Sequence, residues 1–181
     1  MKQKINIVWL KRDLRTQDHD PLFFAEKEPL PYLIIFLYEP SLIDYPDTSL
    51  RHLQFCYHSI KEMNNTLSPH GKNVIQLHGR APSIFNYIFE NYEVNKLFSY
   101  RESGIQKTWN RDKEIAKLCK DKNIQWDEFQ RDAVLRGIQK RLGWDKAWYA
   151  KMNTLCRKNT YQKKENIVFD NPFPLPTDFE S

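Results

Sequence analysis

The residues able to do chemistry gather directly behind short apolar runs. Lys11, Arg12, Asp13 and Arg15 follow Ile5 to Leu10, a run broken only by Asn6. Tyr38 and Glu39 close a second run that begins at Leu33. His78 and Arg80 follow Asn73 to Leu77, and Arg101 and Glu102 follow Lys96 to Tyr100. Arg51, at the start of a helix-patterned segment, is placed to lean over the same region. Basic, acidic and phenolic groups in this mixture suit a planar ligand with acidic or hydrogen-bonding edges. No nucleophile is paired with a base, so no catalytic residue is assigned. A crevice filled by its own side chains and water is the alternative.

The missing motifs narrow the chemistry. The five glycines, Gly71, Gly79, Gly104, Gly137 and Gly143, form neither a dinucleotide fingerprint nor a phosphate-cradling loop. No Gly-x-Ser-x-Gly elbow is present, which argues against an α/β-hydrolase. No His-Glu-x-x-His occurs, and His52 and His58 fall on different faces of their helix, so no metal site is expected. The third run ends in Leu77-His78-Gly79 rather than in an Asp, which speaks against a phosphorelay receiver.

These groups need a scaffold that presents strand ends together. Ile5–Leu10 is short, apolar and suited to a strand buried on both faces, Leu33–Leu37 is again apolar throughout, and Asn73–Leu77, Lys96–Tyr100 and Ile124–Phe129 read as three further strands. Between them lie helix-patterned segments. One starts at Asp20, read as an N-cap with Pro21 at the first helical position. The others are Ser49–Asn65 with Leu53, Cys56, Ile60 and Met63 on one face, Ser83–Tyr92, and Gly104–Lys122 with Trp109, Ile115 and Leu118 inward. The stretch from Glu39 to Thr48 reads as loop, and Ser68–Gly71 as a turn. Alternation without hairpin signals predicts an α/β fold: a doubly wound, five-stranded parallel sheet, Rossmann-like or flavodoxin-like, over residues 1–130. In such sheets ligands sit outside the carboxyl ends of the strands. Residues 131–181 read as a basic helical extension, with short helical pieces at Ile138–Leu142 and Trp144–Met152. It ends in a Pro-rich, linker-like stretch, Asn171–Thr177.

The chain has 181 residues, a net charge of +5 and 14% aromatic residues, which fits a soluble globular protein. The longest apolar run, Tyr32–Tyr38, is too short to span a bilayer, and no signal peptide is visible. Cys56, Cys119 and Cys156 form no zinc or redox pattern, so free thiols in a reducing cytoplasm are expected. Residues 131–164 carry ten Lys/Arg against two acids, while the remainder carries 18 against 21. Such a segment attracts nucleic acid weakly and in a salt-dependent way, or simply solubilises the chain.

The opening stretch carries a resemblance. Trp9-Leu10-Lys11-Arg12-Asp13-Leu14-Arg15, followed by Asp18-His19-Asp20-Pro21-Leu22, resembles the amino-terminal signature of the DNA photolyase/cryptochrome family. Leu77-His78-Gly79-Arg80-Ala81-Pro82 is similar to that family's strand-to-helix step. Glu102-Ser103-Gly104 with Arg111-Asp112 is similar to its segment after the fourth strand. Gly143-Trp144-Asp145 through Trp148 to Met152 looks like a stretch of one bacterial branch. The likeness covers roughly residues 4–152.

The resemblance implies an amino-terminal light-harvesting domain that binds an antenna chromophore: a folate, a deazaflavin or a flavin. Carried over to this sequence, it points to Arg51 and Glu102 as chromophore-binding residues, beside Lys11, Arg12, Tyr38 and Glu39, which the strand-end reading places at the same crevice. Lys11 stands where the family usually has Arg, offering charge without a planar fork. The resemblance further implies that the catalytic flavin, FAD, sits in a downstream helical domain, the partner through which damaged DNA would be met. The expected parent activity is light-dependent repair of pyrimidine dimers, or blue-light sensing. The 181 residues alone are expected to be inactive, as a chain cut at a domain boundary or a stand-alone relative. The alternative is a stand-alone nucleotide-binding or docking module of the same fold with no chromophore.

Overall fold

A computed structural model of the protein describes residues 1–135 and 141–176. Five strands form one parallel sheet: β1 (Lys4–Leu10), β2 (Tyr32–Tyr38), β3 (Val74–His78), β4 (Glu93–Tyr100) and β5 (Gln125–Phe129). Their order is β3-β2-β1-β4-β5, with every neighbouring pair parallel. This is the Rossmann order rather than the flavodoxin one, so the chain reverses direction across the sheet between β1 and β4.

β1 and β2 are buried because both faces are covered, which is why their sequences are almost wholly apolar. One face packs Ile5, Ile7, Trp9, Ile35 and Leu97 against α4 (Ala81–Asn91) and α5 (Gln106–Asp121). The other packs Val8, Leu10, Ile34, Phe36 and Phe98 against α1 (Asp20–Lys27) and α3 (Leu50–Leu67). Asn6, the one polar residue inside β1, marks an irregularity in the pairing with β4. Its side-chain oxygen accepts from the backbone amide of Lys96 at 3.1 Å, beside the irregularity, and from the side-chain amide of Asn95 at 3.3 Å.

Several expectations shift by a residue or more. The N-cap of α1 is His19, not Asp20: its Nδ1 accepts the Leu22 amide at 3.2 Å. Part of the expected loop after β2 is a short helix, α2 (Pro40–Ile43), with Pro40 starting its first turn. Ser49 caps α3 through a reciprocal arrangement with His52. A single 3₁₀ turn, Ser68–His70, ends at Gly71, whose φ of +68° needs a residue without a Cβ. Trp109 is 40% exposed rather than inward. Thr108, Ile115 and Cys119 form the buried stripe of α5 instead. The expected helical piece at Ile138–Leu142 lies largely outside the described residues, whereas α6 (Trp144–Met152) has the expected bounds. Thr177, the end of the expected Pro-rich stretch, also lies outside them.

Residues 157–173 lack regular structure, yet they run back along the α/β body as a strap. Asn159 exchanges hydrogen bonds with the backbone of His19: His19 N donates to Asn159 Oδ1 at 3.0 Å, and Asn159 Nδ2 donates to His19 O at 2.9 Å. Tyr161 donates to Thr16 O at 2.5 Å. Lys164 Nζ donates to Glu26 O at 2.9 Å and Glu28 O at 2.5 Å, capping the carboxyl end of α1. Phe169 and Phe173 then pack on the α4 side, and Phe173 O accepts the His78 amide at 2.9 Å.

Candidate functional site

β1 ends at Leu10, and the next three residues turn sharply over the sheet edge. Asp13, 2% exposed, makes that turn: its Oδ1 accepts the backbone amides of Lys11 at 2.9 Å and Arg12 at 3.0 Å. Its Oδ2 lies 2.6 Å from His19 Nε2. Since His19 Nδ1 accepts an amide hydrogen from Leu22, the ring proton sits on Nε2 and is donated to Asp13. Burial works against the Asp13 charge, but the hydrogen bonds from His19 and the Lys11 amide overcome it, and its pKa falls below the ordinary value of 3.8. Asp13 and His19 are thus structural: they fix the loop that aims Lys11 and Arg12.

Lys11 turns inward. Its Nζ pairs with Asp112 Oδ2 at 2.6 Å and lies 4.5 Å from the centroid of the Trp9 ring and 5.3 Å from that of Trp126. Burial lowers its pKa, and Asp112 offsets part of that effect. Arg111, from the second turn of α5, is the hub of the floor. One guanidinium nitrogen meets Glu39 Oε1 and another Glu102 Oε2, both at 2.8 Å, and Asp112 Oδ1 lies within 3.0 Å. Burial opposes its charge, but Glu39, Asp112 and Glu102 outweigh that and raise its pKa further. Arg111 therefore ties the end of β2, the loop after β4 and α5 into one unit.

Above this floor lies a cavity of about 470 Å³, within the range that holds small planar ligands. Lys11, Arg12, Tyr38, Glu39 and Glu102 line it, with Trp9, Phe36, Thr108 and Arg111. The outer wall comes from α2, the following loop and α3: Leu42, Ile43, Tyr45, Thr48, Leu53 and Cys56. Arg51 is exposed on the first turn of α3 and is not among the lining residues, while its neighbours His52 and Leu53 are. His78, Arg80 and Arg101 do not line it either. Tyr38 is buried, donates to Gln76 Oε1 at 3.0 Å, and has its pKa raised by desolvation.

Gly104 explains the tight loop after β4. A Cβ there would lie 2.6 Å from Arg12 Nη2 and 2.7 Å from both Glu102 Oε1 and Thr108 Oγ1. The absence of a side chain lets the cavity's polar groups converge. Sequence reading missed Arg111 and Asp112 as site residues. The available signal was their place in the early turns of the helix after β4, from which side chains reach the strand ends at the reversal point. It missed the α2 wall because Glu39 to Thr48 has no helical periodicity. Among the described residues no cluster of His, Cys, Asp or Glu is arranged to hold a metal ion. Among them, too, no helix is long and apolar enough to cross a membrane.

Known proteins share this architecture. The Synechocystis sp. PCC6803 cryptochrome superposes with a TM-score of 0.80 at 18% identity, covering 99% of this chain and 41% of that one. A bacterial class III photolyase from Agrobacterium tumefaciens gives 0.72 at 15% identity, over 98% and 38%. An archaeal photolyase from Sulfolobus tokodaii, described with two FAD molecules and the implication of a novel light-harvesting cofactor, gives 0.66 at 21%, over 90% and 37%. In sequence, the blue-light photoreceptor PHR2 of Arabidopsis thaliana is 23% identical over 101 residues, which are 53% of this chain and 23% of that protein. The chain thus spans well under half the length of these relatives. The DNA photolyase family model matches residues 6–158, from the first strand through the aromatic helix α6, and the chain belongs to the DNA photolyase/cryptochrome family.

Proposed function

We propose that this chain is the light-harvesting α/β part of a photolyase- or cryptochrome-like flavoprotein, and that the cavity above Arg111 holds an antenna chromophore. The observation that carries this reading is the cavity itself, at the carboxyl ends of β1, β2 and β4 beside the reversal point. Its wall is apolar and aromatic, suited to a ring system. Its floor is polar but internally paired through Arg111, so it offers hydrogen-bonding edges without an uncompensated buried charge. A folate, a deazaflavin or a flavin fits that chemistry. Lys11, Arg12, Tyr38, Glu39 and Glu102 are the contact residues of this reading, and Arg51 acts at most at the rim. When bound, such a group absorbs near-ultraviolet or blue light, while the chain's residues orient it and exclude water. Repair or signalling belongs to a longer protein, with FAD in a downstream helical domain and damaged DNA met there.

Titration of the protein with folate, deazaflavin and flavin probes, followed by fluorescence polarisation, tests the reading. Saturable binding of at least one probe at a single site supports it. Absence of binding by all three, to this chain and to a full-length relative carrying it, leaves the docking-module alternative. Arg51→Ala is expected to change affinity no more than about threefold, an exposed-charge effect.

A further inference from the structure

Four readily oxidised side chains line the cavity: Trp9, Tyr38, Tyr45 and Cys56. Each is held in a setting that resists loss of an electron. Lys11 Nζ lies 4.5 Å from the Trp9 ring centroid, and the central guanidinium carbon of Arg111 lies 4.7 Å from it. Lys107 Nζ lies 5.3 Å from the ring centroid of Tyr45 and also donates to Ser41 O at 3.0 Å, which fixes its position. Tyr38 gives its hydroxyl hydrogen to the amide oxygen of Gln76, a far weaker base than a carboxylate. Burial pushes the Cys56 thiol up, away from the easily oxidised thiolate.

An electron leaving a ring beside a cation places two positive charges a few ångströms apart, a penalty that the carboxylates paired with Lys11 and Arg111 offset in part at Trp9 and that solvent weakens at the exposed Lys107. We propose that these cations protect the excited state of a chromophore in the cavity by making the rings around it poor electron donors. The proposal rests on the chromophore-binding reading and adds what the lining does after light is absorbed. In the reaction it blocks, one electron passes from an indole or phenol ring to the excited chromophore. The ring is then one electron short and the chromophore one electron rich. Return of that electron restores both and releases the excitation as heat. No atom is transferred and no outside oxidant takes part. A cavity that hands excitation to a distant acceptor needs this route closed. One that does redox photochemistry needs a willing donor against the chromophore.

Riboflavin, neutral and fluorescent, serves as the probe, with polarisation reporting binding and the time-resolved decay reporting quenching in the same sample. Lys107 is exposed and outside the floor network, so Lys107→Met leaves Glu39, Arg111 and Glu102 paired. The expected lifetime of riboflavin bound to the wild type is within about twofold of the free value. In Lys11→Met it shortens by about tenfold or more, because a unit charge close to the donor ring is gone. Lys107→Met shortens it severalfold. Adding Trp9→Phe to the first variant, or Tyr45→Phe to the second, restores the lifetime by removing the donor. If Lys11→Met fails to fold, the Lys107 and Tyr45 variants carry the test alone. Strong quenching already in the wild type, or unchanged lifetimes in the variants, overturns the proposal while leaving chromophore binding intact. No polarisation change with riboflavin, nor with folate and deazaflavin probes run in the same way, removes the chromophore reading, and this proposal with it.

Discussion

Asp13 shows how a motif read for chemistry can act through architecture. Its carboxylate holds two amides and His19, so the loop carrying Lys11 and Arg12 depends on it. Asp13→Asn is expected to lower stability by about 2–4 kcal/mol, measured by urea unfolding at pH 7, because a buried charge-assisted pair is lost. The folded pKa of Asp13 is depressed, so its stabilising contribution is present above the ordinary value of 3.8 and disappears as pH falls through the folded value. In the wild type, stability therefore drops in acid below that point, and Asp13→Asn flattens the drop. Gly104→Ala tests the crowding beside Glu102: the added Cβ is expected to cost about 1–3 kcal/mol by forcing Arg12, Glu102 and Thr108 apart. Of the cavity lining, Lys11, Arg12, Tyr38, Glu39 and Glu102 could be read from where apolar runs end, but the same rule also pointed to His78, Arg80 and Arg101, which do not line it. Arg111 could not be read, because a cation on a helix with many charges looks solvated until the fold turns it toward Glu39 and Glu102.

Among the elements, β1 and β2 could be read because residues buried on both faces leave nearly continuous apolar runs, whereas β3, β4 and β5 are more polar and only partly buried and could be read through their alternation with helix-patterned segments. Their order across the sheet could not, since nothing local distinguishes the Rossmann from the flavodoxin arrangement. The start of α1 was placed on the wrong residue because His19 caps through a ring nitrogen rather than through the usual short polar side chain. The strap was illegible for a related reason: its ties are single side chains reaching backbone groups far away in sequence, which leave no periodicity. Lys164 reaches several backbone carbonyls at once, among them Ala25 O, Glu26 O and Glu28 O. Lys164→Met is expected to lower stability by about 1–2 kcal/mol and to speed amide exchange in the last turn of α1, where the carbonyl cap is lost. Exchange rates unchanged there would mean that solvent satisfies those carbonyls equally well.

The whole molecule divides its charge unevenly, with the basic excess in residues 131–164. Around α6, Arg141, Lys146 and Lys158 are exposed beside Leu142 and Leu155. DNA binding by this chain is expected to be weak and to fall steeply between about 50 and 200 mM salt, as counterion release requires. Tight binding that survives the higher salt would reveal a specific surface. Light-dependent dimer splitting is not expected from the 181 residues, which span 41% or less of the solved relatives. The central claim concerns the cavity, and filling it tests that claim most directly. Leu53 lines the wall away from the Arg111 floor, so Leu53→Trp occupies ligand space without breaking the floor's ion pairs. Paired polarisation titrations of wild type and Leu53→Trp, with the chromophore class that binds, decide the matter. The account predicts saturable binding to the wild type and a loss of about a hundredfold or more in affinity for Leu53→Trp, given how strongly dense packing resists overfilling. Equal affinity for the two proteins would contradict it.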